Sequence, residues 1–399
     1  MPDNSPCRDD VESAARKLLA YCRERDWAGF DPYDALNSTL FRRLGLLRSR
    51  LPRLVLTQLL KRAPVNARAC LGIEQTQNPK ALALFLKALV NLRRAGWFED
   101  LSIVESIVAK LGQLRSRSSP FACWGYSFPW QTRELLVPRG SPNIVCTTFV
   151  ADALLDAYDL THDHACLDMA QGAAEYIVHD LYWADGESAA GFSYPSPGVR
   201  TQVYNANLLG AAILYRVRSH TGDERLLAPA LSVARHAVSR QNDDGSWYYG
   251  DLARQRWIDN FHTGFNLLAL RDIGKYGGGA EFESALRRGM TFYVDRFVRA
   301  DGAPRYFHDN AYPIDIHSAA QSIITLVELR ELDGSHMPMA SSVLAWVLAN
   351  MWDTRGYFYF QRQRLYTNRV SYMRWSQAWM LLALSVLLRG GQGLERACP

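Results

Sequence analysis

Six stretches of this sequence follow one grammar: a polar or aromatic head, then a run dense in Leu and Ala that is apolar on nearly every helical face. They cover 79–92, 145–158, 204–215, 259–270, 315–326 and 372–387, and the last four begin 55, 56 and 57 residues apart. A helix that is apolar all round has to be buried on most sides. Between these stretches lie 99–114, 165–181, 224–240, 281–298 and 337–351, with apolar residues at i, i+3, i+4 and i+7 and charges elsewhere. That is the pattern of amphipathic helices with one face to solvent. Buried helices alternating with amphipathic ones over six copies predict an all-α protein, an (α/α)6 toroid with an inner ring wrapped by an outer one. The toroid is expected over residues 71–399, with residues 1–70 as an N-terminal arm of helices packed on it. An open α-solenoid is the alternative, but such solenoids use repeats of roughly 34–47 residues joined by short turns. The links here are longer and rich in aromatic and polar residues.

Composition narrows the class. With 48% hydrophobic and 12% aromatic residues in 399, the chain is too apolar to be disordered. A net charge of +5 is too small to imply a nucleic-acid partner. The seven cysteines are widely spaced with no CxxC pair, which argues against a disulfide scaffold or a structural zinc site. Neither an apolar run of ~18 residues nor a secretory leader is visible, so the expected location is cytoplasmic. No P-loop or GxGxxG sequence is present, and no cofactor is expected.

The links between outer and inner helices carry a second regularity. Asp185-Gly186 precedes Phe192-Ser193-Tyr194, Asp243-Asp244-Gly245 precedes Trp247-Tyr248-Tyr249, Asp301-Gly302 precedes Arg305-Tyr306-Phe307, and Arg355-Gly356 precedes Tyr357-Phe358-Tyr359. A glycine turn followed by an aromatic cluster, at the same end of each repeat, gathers these loops on one mouth of the ring. Such rings can simply plug the mouth. Their mixture with Asp, His and Asn is instead the chemistry of a saccharide-binding face, where rings stack on sugars and polar groups bind hydroxyls.

The heads of the inner helices point toward the centre. On a helix Asp259, His262 and Asn266 share one face, as do His317 and Gln321. Aligned on their Leu-rich tails, His262 and His317 fall at matching depth. Two imidazoles, each near an aspartate, are an acid and a base for proton transfer. His262, His317, Asp259 and Asp315 are therefore the candidate catalytic set. Asp259 and Asp315 also suit helix capping, a role that does not exclude a second one. A His/His/Asp metal site is the alternative, but no HExxH-like spacing supports it and no metal is expected. Two carboxylates among Asp251, Asp259, Asp309 and Asp315 would suit a glycoside hydrolase. Tyr204, Asn205, His262 and Arg374 have the residue types of a lyase or epimerase acting beside a uronic-acid carboxylate. The choice stays open. Trp124, Tyr126, Trp247 and Trp375 are the candidates for stacking on sugar, and Tyr204, Asn205 and Arg374 for positioning it. Residues 241–247 also fit the Q-x3-G-x-W pattern of terpenoid-cyclase toroids; without an aspartate-rich acid motif the segment reads as a turn whose Trp staples adjacent repeats.

In the arm, residues 28–38 form a polar–aromatic loop expected to fold over the cavity rim. Residues 40–62 hold seven Arg or Lys and no acid, with Leu and Val between them. Such a segment suits either an outer helix facing solvent or a peripheral contact with anionic lipid.

Several motifs carry a resemblance. Phe30-Asp31-Pro32-Tyr33-Asp34-Ala35-Leu36-Asn37-Ser38, Gly72-Ile73-Glu74, Asn78-Pro79-Lys80-Ala81-Leu82-Ala83, Cys123-Trp124-Gly125-Tyr126 and 142–148 are similar to those of VpsJ-like polysaccharide-biosynthesis proteins. So are Asp259-Asn260-Phe261-His262-Thr263-Gly264 and Asp315-Ile316-His317. The resemblance spans nearly the whole chain. It implies a toroid related to six-hairpin glycosidases and a role in capsule or exopolysaccharide production, with other polysaccharide-biosynthesis proteins as partners. It implies no catalytic set. The resulting expectation is a carbohydrate-processing toroid acting on a saccharide or lipid-linked glycan at the inner face of the membrane. A non-catalytic glycan-binding or scaffold component of the assembly machinery is the alternative.

Overall fold

The computed structural model describes residues 6–132, 134–186 and 189–390. Helices α1 (Arg8–Arg23), α2 (Thr39–Arg43) and α3 (Arg50–Arg62) open the chain, followed by α4 (Pro79–Arg94), α5 (Ser102–Gln113), α6 (Ile144–Thr161) and α7 (His164–Tyr176). Then come α8 (Tyr204–Thr221), α9 (Leu227–Ser239), α10 (Asn260–Ile273), α11 (Glu283–Phe297), α12 (Ile316–Glu328), α13 (His336–Met351) and α14 (Ala378–Gly390). Helices α4, α6, α8, α10, α12 and α14 form the inner ring. Each packs on the next, and α14 returns to α4 to close an (α/α)6 toroid.

The two rings bury different faces, as their sequences dictate. Every residue of α12 from Ile316 to Val327, and of α14 from Ala378 to Leu388, is buried. The outer helices bury a single stripe: Val104, Ile107, Val108 and Leu111 in α5, and Ala230, Val233, Ala234 and Ala237 in α9. Helix α1 carries the same stripe in Val11, Ala14, Ala15, Leu18 and Cys22, and it packs on α14. It is the sixth outer helix. The N-terminal segment therefore packs in two parts: α1 inside the ring's own core, and a small separate cluster of Ala35, Phe41, Leu60 and Ile73 beside it.

The glycine turns of the links dock each repeat on its neighbour. A Cβ on Gly245 would lie 2.4 Å from the Arg288 carbonyl of α11, one on Gly302 2.5 Å from that of Ser342 in α13, and one on Gly356 2.9 Å from that of Lys17 in α1. With φ near +90° as well, these turns admit only glycine. Trp247 completes one staple, its indole donating to the Ala237 carbonyl at 3.1 Å, while Gln241 donates to the Ala285 carbonyl of the next repeat. The links also pair into short antiparallel ribbons, such as Tyr182–Asp185 with Ala189–Phe192, which helical periodicity alone does not reveal.

The two ends of the ring differ. At one, side chains cap four inner helices: Asn78, Asn143, Asp259 and Asp315 each accept a backbone N–H of the following turn, each cap contributing about 1 kcal/mol. At the other, Lys87 and Arg216 clamp Asp152 and Asp156, and Arg271 and Arg389 share Glu328. A cavity of about 710 Å³ opens among these charges and runs inward to Phe149, Phe265 and Trp379. No helix among the described residues is long and apolar enough to cross a membrane.

Candidate active site

The mouth with the capped helix ends is organised by Asp259. One carboxylate oxygen caps α10 through the His262 N–H at 3.0 Å; the other holds His262 Nδ1 at 2.7 Å and receives the Trp257 indole N–H at 3.1 Å. His262 is the third residue of its helix, where a side chain folds back over the cap. The carboxylate is buried while the imidazole keeps 23% of its surface exposed. With Nδ1 bound, Nε2 makes no hydrogen bond to a described residue, and the ring lines the small pocket described next.

Beside this pair lies a pocket of about 10 Å³, lined by Asn205, Tyr249, Trp257, Thr263 and Asn266. That is room for about one water or hydroxyl. The side-chain oxygens of Asn205 and Asn266 are buried and lack hydrogen-bond partners. Two unsatisfied amide oxygens beside a free imidazole nitrogen make a receptor for a hydroxyl donor. Tyr204, which expectation placed here with Asn205, is buried and donates its phenol hydrogen to Asp251.

The aromatic lining follows a two-residue alternation. Trp124 is buried with its indole on the Leu111 carbonyl at 2.8 Å, and Tyr126 is half-buried at the mouth. Phe192 and Tyr194, and Trp247 and Tyr249, repeat this spacing of a buried ring followed two residues later by a partly exposed one. Trp124 and Trp247 are thus structural staples, not sugar platforms. The rings at the mouth are Tyr126, Trp130, Tyr194 and Tyr249; Tyr249 stacks on Trp257 at 4.5 Å and lies 4.7 Å from the His262 ring. Burial pushes the phenols of Tyr126, Tyr249 and Tyr306 well up and that of Tyr194 to about 12. They remain neutral hydrogen-bonding groups rather than bases. The two-residue spacing was readable in the sequence, but the larger indoles drew the assignment.

His317 sits elsewhere. It is 2% exposed, sandwiched between Phe261 and Trp379 at 4.4 Å from each, with the Trp375 ring edge-on at 4.8 Å. Neither ring nitrogen has a hydrogen-bond partner. Asp315 does not orient it: the carboxylate accepts the His317 backbone N–H, the Gln361 amide and the Trp375 indole at 2.9 Å. Being the second rather than the third residue of its helix, His317 points away from its cap. Phe261 lies 4.4 Å from both imidazoles, so the two do not face each other across open space. Burial, with the charges of Lys80 and Arg374, depresses His317 well below the usual histidine range and keeps it neutral. Lys80, part of a quoted motif but given no role from the sequence, lies 4.1 Å from Phe149 and is lowered to about 7, first by burial and then by Arg374.

The arm closes part of the rim, as the 28–38 loop suggested. Arg374 is gripped by Asp31 through Nε at 2.6 Å and Nη2 at 2.8 Å, its guanidinium 5.1 Å from the Tyr126 ring. This bidentate pair commits the arginine to the arm. Tyr33 lies 5.4 Å from Trp375, and Lys61 donates to its phenol oxygen at 2.7 Å. Of the carboxylates considered for hydrolysis, Asp251, Asp259 and Asp315 are engaged as described and Asp309 is exposed. Among the described residues no group of His, Cys, Asp and Glu side chains is arranged to hold a metal.

No protein-family model matches the sequence, and no curated protein does. Solved structures do share the fold. A cellobiose 2-epimerase from Bacillus thermoamylovorans superposes with a TM-score of 0.63 at 13% identity, over 80% of this chain and 90% of its own. A GH76 α-mannanase from Bacteroides thetaiotaomicron gives 0.61 at 12%, over 78% and 85%. An unsaturated glucuronyl hydrolase specific for heparin gives 0.61 at 12%, over 95% and 96%. These likenesses show the (α/α)6 toroid fold.

Proposed function

We propose that this protein acts on a saccharide at the capped mouth, with His262 moving the proton and Asp259 positioning it. One arrangement carries the reading: an imidazole with its Nδ1 on a buried carboxylate and its Nε2 free, beside a hydroxyl-sized pocket with two unpartnered amide oxygens. Hydrogen-bonding of Nδ1 to Asp259 fixes the tautomer and stabilises the imidazolium formed when Nε2 takes a proton. Tyr249, Trp257, Tyr194 and Tyr126 offer ring faces and phenols to a pyranose. Among the described residues lining the pocket His262 is the one imidazole and Asp259 the one carboxylate, which favours proton transfer of the epimerase or lyase kind over two-carboxylate hydrolysis. That solved toroids of this fold include a cellobiose epimerase, a mannanase and a glucuronyl hydrolase supports a carbohydrate substrate. The motif resemblance supports placing the reaction in exopolysaccharide assembly on the cytoplasmic side, on a lipid-linked glycan, alongside other biosynthesis proteins.

A panel of neutral and uronic-acid oligosaccharides, followed by NMR in deuterated water, tests this. Turnover or solvent deuterium exchange by the wild type, lost in His262→Ala while saccharide binding persists, is expected. A second reading has its own observation: His317, the other half of the expected acid/base pair, is sealed behind Phe261. Saccharide binding with no turnover, unchanged in His262→Ala and lost in Tyr249→Ala, would establish a binding module instead.

A further inference from the structure

Helix α3 turns its apolar residues outward. Leu51, Val55 and Leu59, at i, i+4 and i+8, are 70%, 45% and 62% exposed. Val65, at 72%, extends the stripe beyond the helix. The preceding turn adds Leu44 and Leu46, and Arg53 holds that turn against the helix by donating to the Leu47 carbonyl at 3.0 Å. Leu365, 92% exposed, joins the far end, where the Tyr366 phenol donates to the Arg62 carbonyl at 2.9 Å. Nine of the twelve exposed large apolar side chains of the described residues lie on 40–65 or on this 365–366 turn. A monomer that only faced water would scatter them.

The charge of the same surface is one-sided. Residues 35–73 contain no Asp or Glu. Arg42, Arg43, Arg48, Arg50 and Arg62 are exposed, and none forms an ion pair with a described residue. Exposed arginines elsewhere do: Arg225 with Asp223 and Glu175, Arg235 with Glu281, Arg287 with Glu283. Aliphatic side chains interleaved with unpaired arginines fit the boundary between acyl chains and anionic headgroups. A second copy docking through the same surface would set these arginines against each other.

We propose that this surface, residues 40–65 with the 364–366 turn, docks the protein on a membrane leaflet rich in anionic lipid. The helix lies on the bilayer, its aliphatic stripe among the upper acyl carbons and its arginines on headgroup phosphates. The opposite face of α3 touches the mouth through Lys61 and Tyr33. Docking therefore brings the rim of the ring against the lipid surface. The inference rests on the exposed surface alone and stands whether or not the mouth processes saccharide.

The full chain, mixed with vesicles of phosphatidylcholine or of phosphatidylcholine with about one-third phosphatidylglycerol, is assayed by co-sedimentation at low and high salt. Binding to the anionic vesicles at least tenfold tighter than to neutral ones, weakened by salt, is expected. Leu51→Glu with Leu59→Glu, and separately Arg42, Arg43, Arg48 and Arg50→Ser, each lower it about tenfold or more. Both sets lie on the exterior, so circular dichroism and melting temperature should match the wild type. Failure of the wild type to sediment with anionic vesicles overturns the proposal. So does retention of binding by the Leu51→Glu/Leu59→Glu protein. Self-association that this double substitution abolishes, without vesicle binding, would assign the surface to a protein partner and equally overturn it.

Discussion

Two neighbouring inner helices begin almost alike, one with Asp259 and His262, the other with Asp315 and His317, and they end up in opposite environments. At the head of α10 the aspartate divides its oxygens between the cap and the imidazole. At the head of α12 the aspartate is taken by the cap, Gln361 and Trp375, and the imidazole packs as an aromatic disc between Phe261 and Trp379. One residue of spacing makes the difference. Each helical residue advances the side-chain direction by about 100°, so the third residue returns over the cap and the second does not. Likeness of motif is not likeness of role.

The sharpest way to break this contrast is His262→Ala, expected to lower saccharide turnover by roughly 10²–10⁴-fold, the range of a lost general acid–base. Comparable turnover in that variant would remove the α10 head from the chemistry. Asp259→Asn keeps the cap but weakens the hold on Nδ1, so a fall of about tenfold or more in kcat with KM little changed is expected. At the other head, His317→Phe should leave turnover within about twofold, measured beside the first two. Its effect is on stability. The folded protein holds His317 neutral and below its unfolded value, so the unfolded state binds the extra proton and stability is lost as pH falls below about 6.5. Up to about 1.4 kcal/mol per pH unit of that loss belongs to this one group. Denaturant melts from pH 7 to 5 should show a shallower decline in His317→Phe. Lys80→Met tests the same interior from the alkaline side. Wild-type stability should rise between about 7, the folded value, and 10.5, the ordinary lysine value, because there only the unfolded chain holds the proton. The methionine protein should lack that rise; an identical profile would mean that Lys80 reaches solvent. The smallest effect is expected from Tyr249→Phe, which keeps the ring face and removes one hydroxyl, raising KM a few-fold with kcat nearly unchanged.

The architecture was legible because tails such as Ala378–Leu388 have almost no polar face to show solvent, and their regular alternation with amphipathic helices fits a ring that buries them on most sides. The partnership of α1 with α14 was not, since a stripe such as Val11, Ala14, Ala15 and Leu18 says that a helix has a buried face but not against what. At the candidate site, residue types pointed to the α10 head, and the structure brings Asn205 beside it. They misassigned the tryptophans, since an indole anchored by its N–H to a helix carbonyl, as in Trp124 and Trp247, looks in sequence like one that receives a sugar. They also could not show that Asp31 takes up Arg374, because residues 343 apart in sequence meet only when the ring closes.

That closure has a consequence for how the protein is made. Helix α1 leaves the ribosome ahead of the other helices of the ring, yet the surface it covers, on α14, is made after all of them. About 355 residues separate the two. At roughly 5–20 residues per second the wait is on the order of 20–70 s. Throughout it the apolar stripe of α1 lacks the α14 surface it packs on, and α14, once made, has an uncovered flank until α1 arrives. Of the helices that build the ring, the first to be synthesised is thus the last to be sheltered, which makes it a natural client for a chaperone during translation.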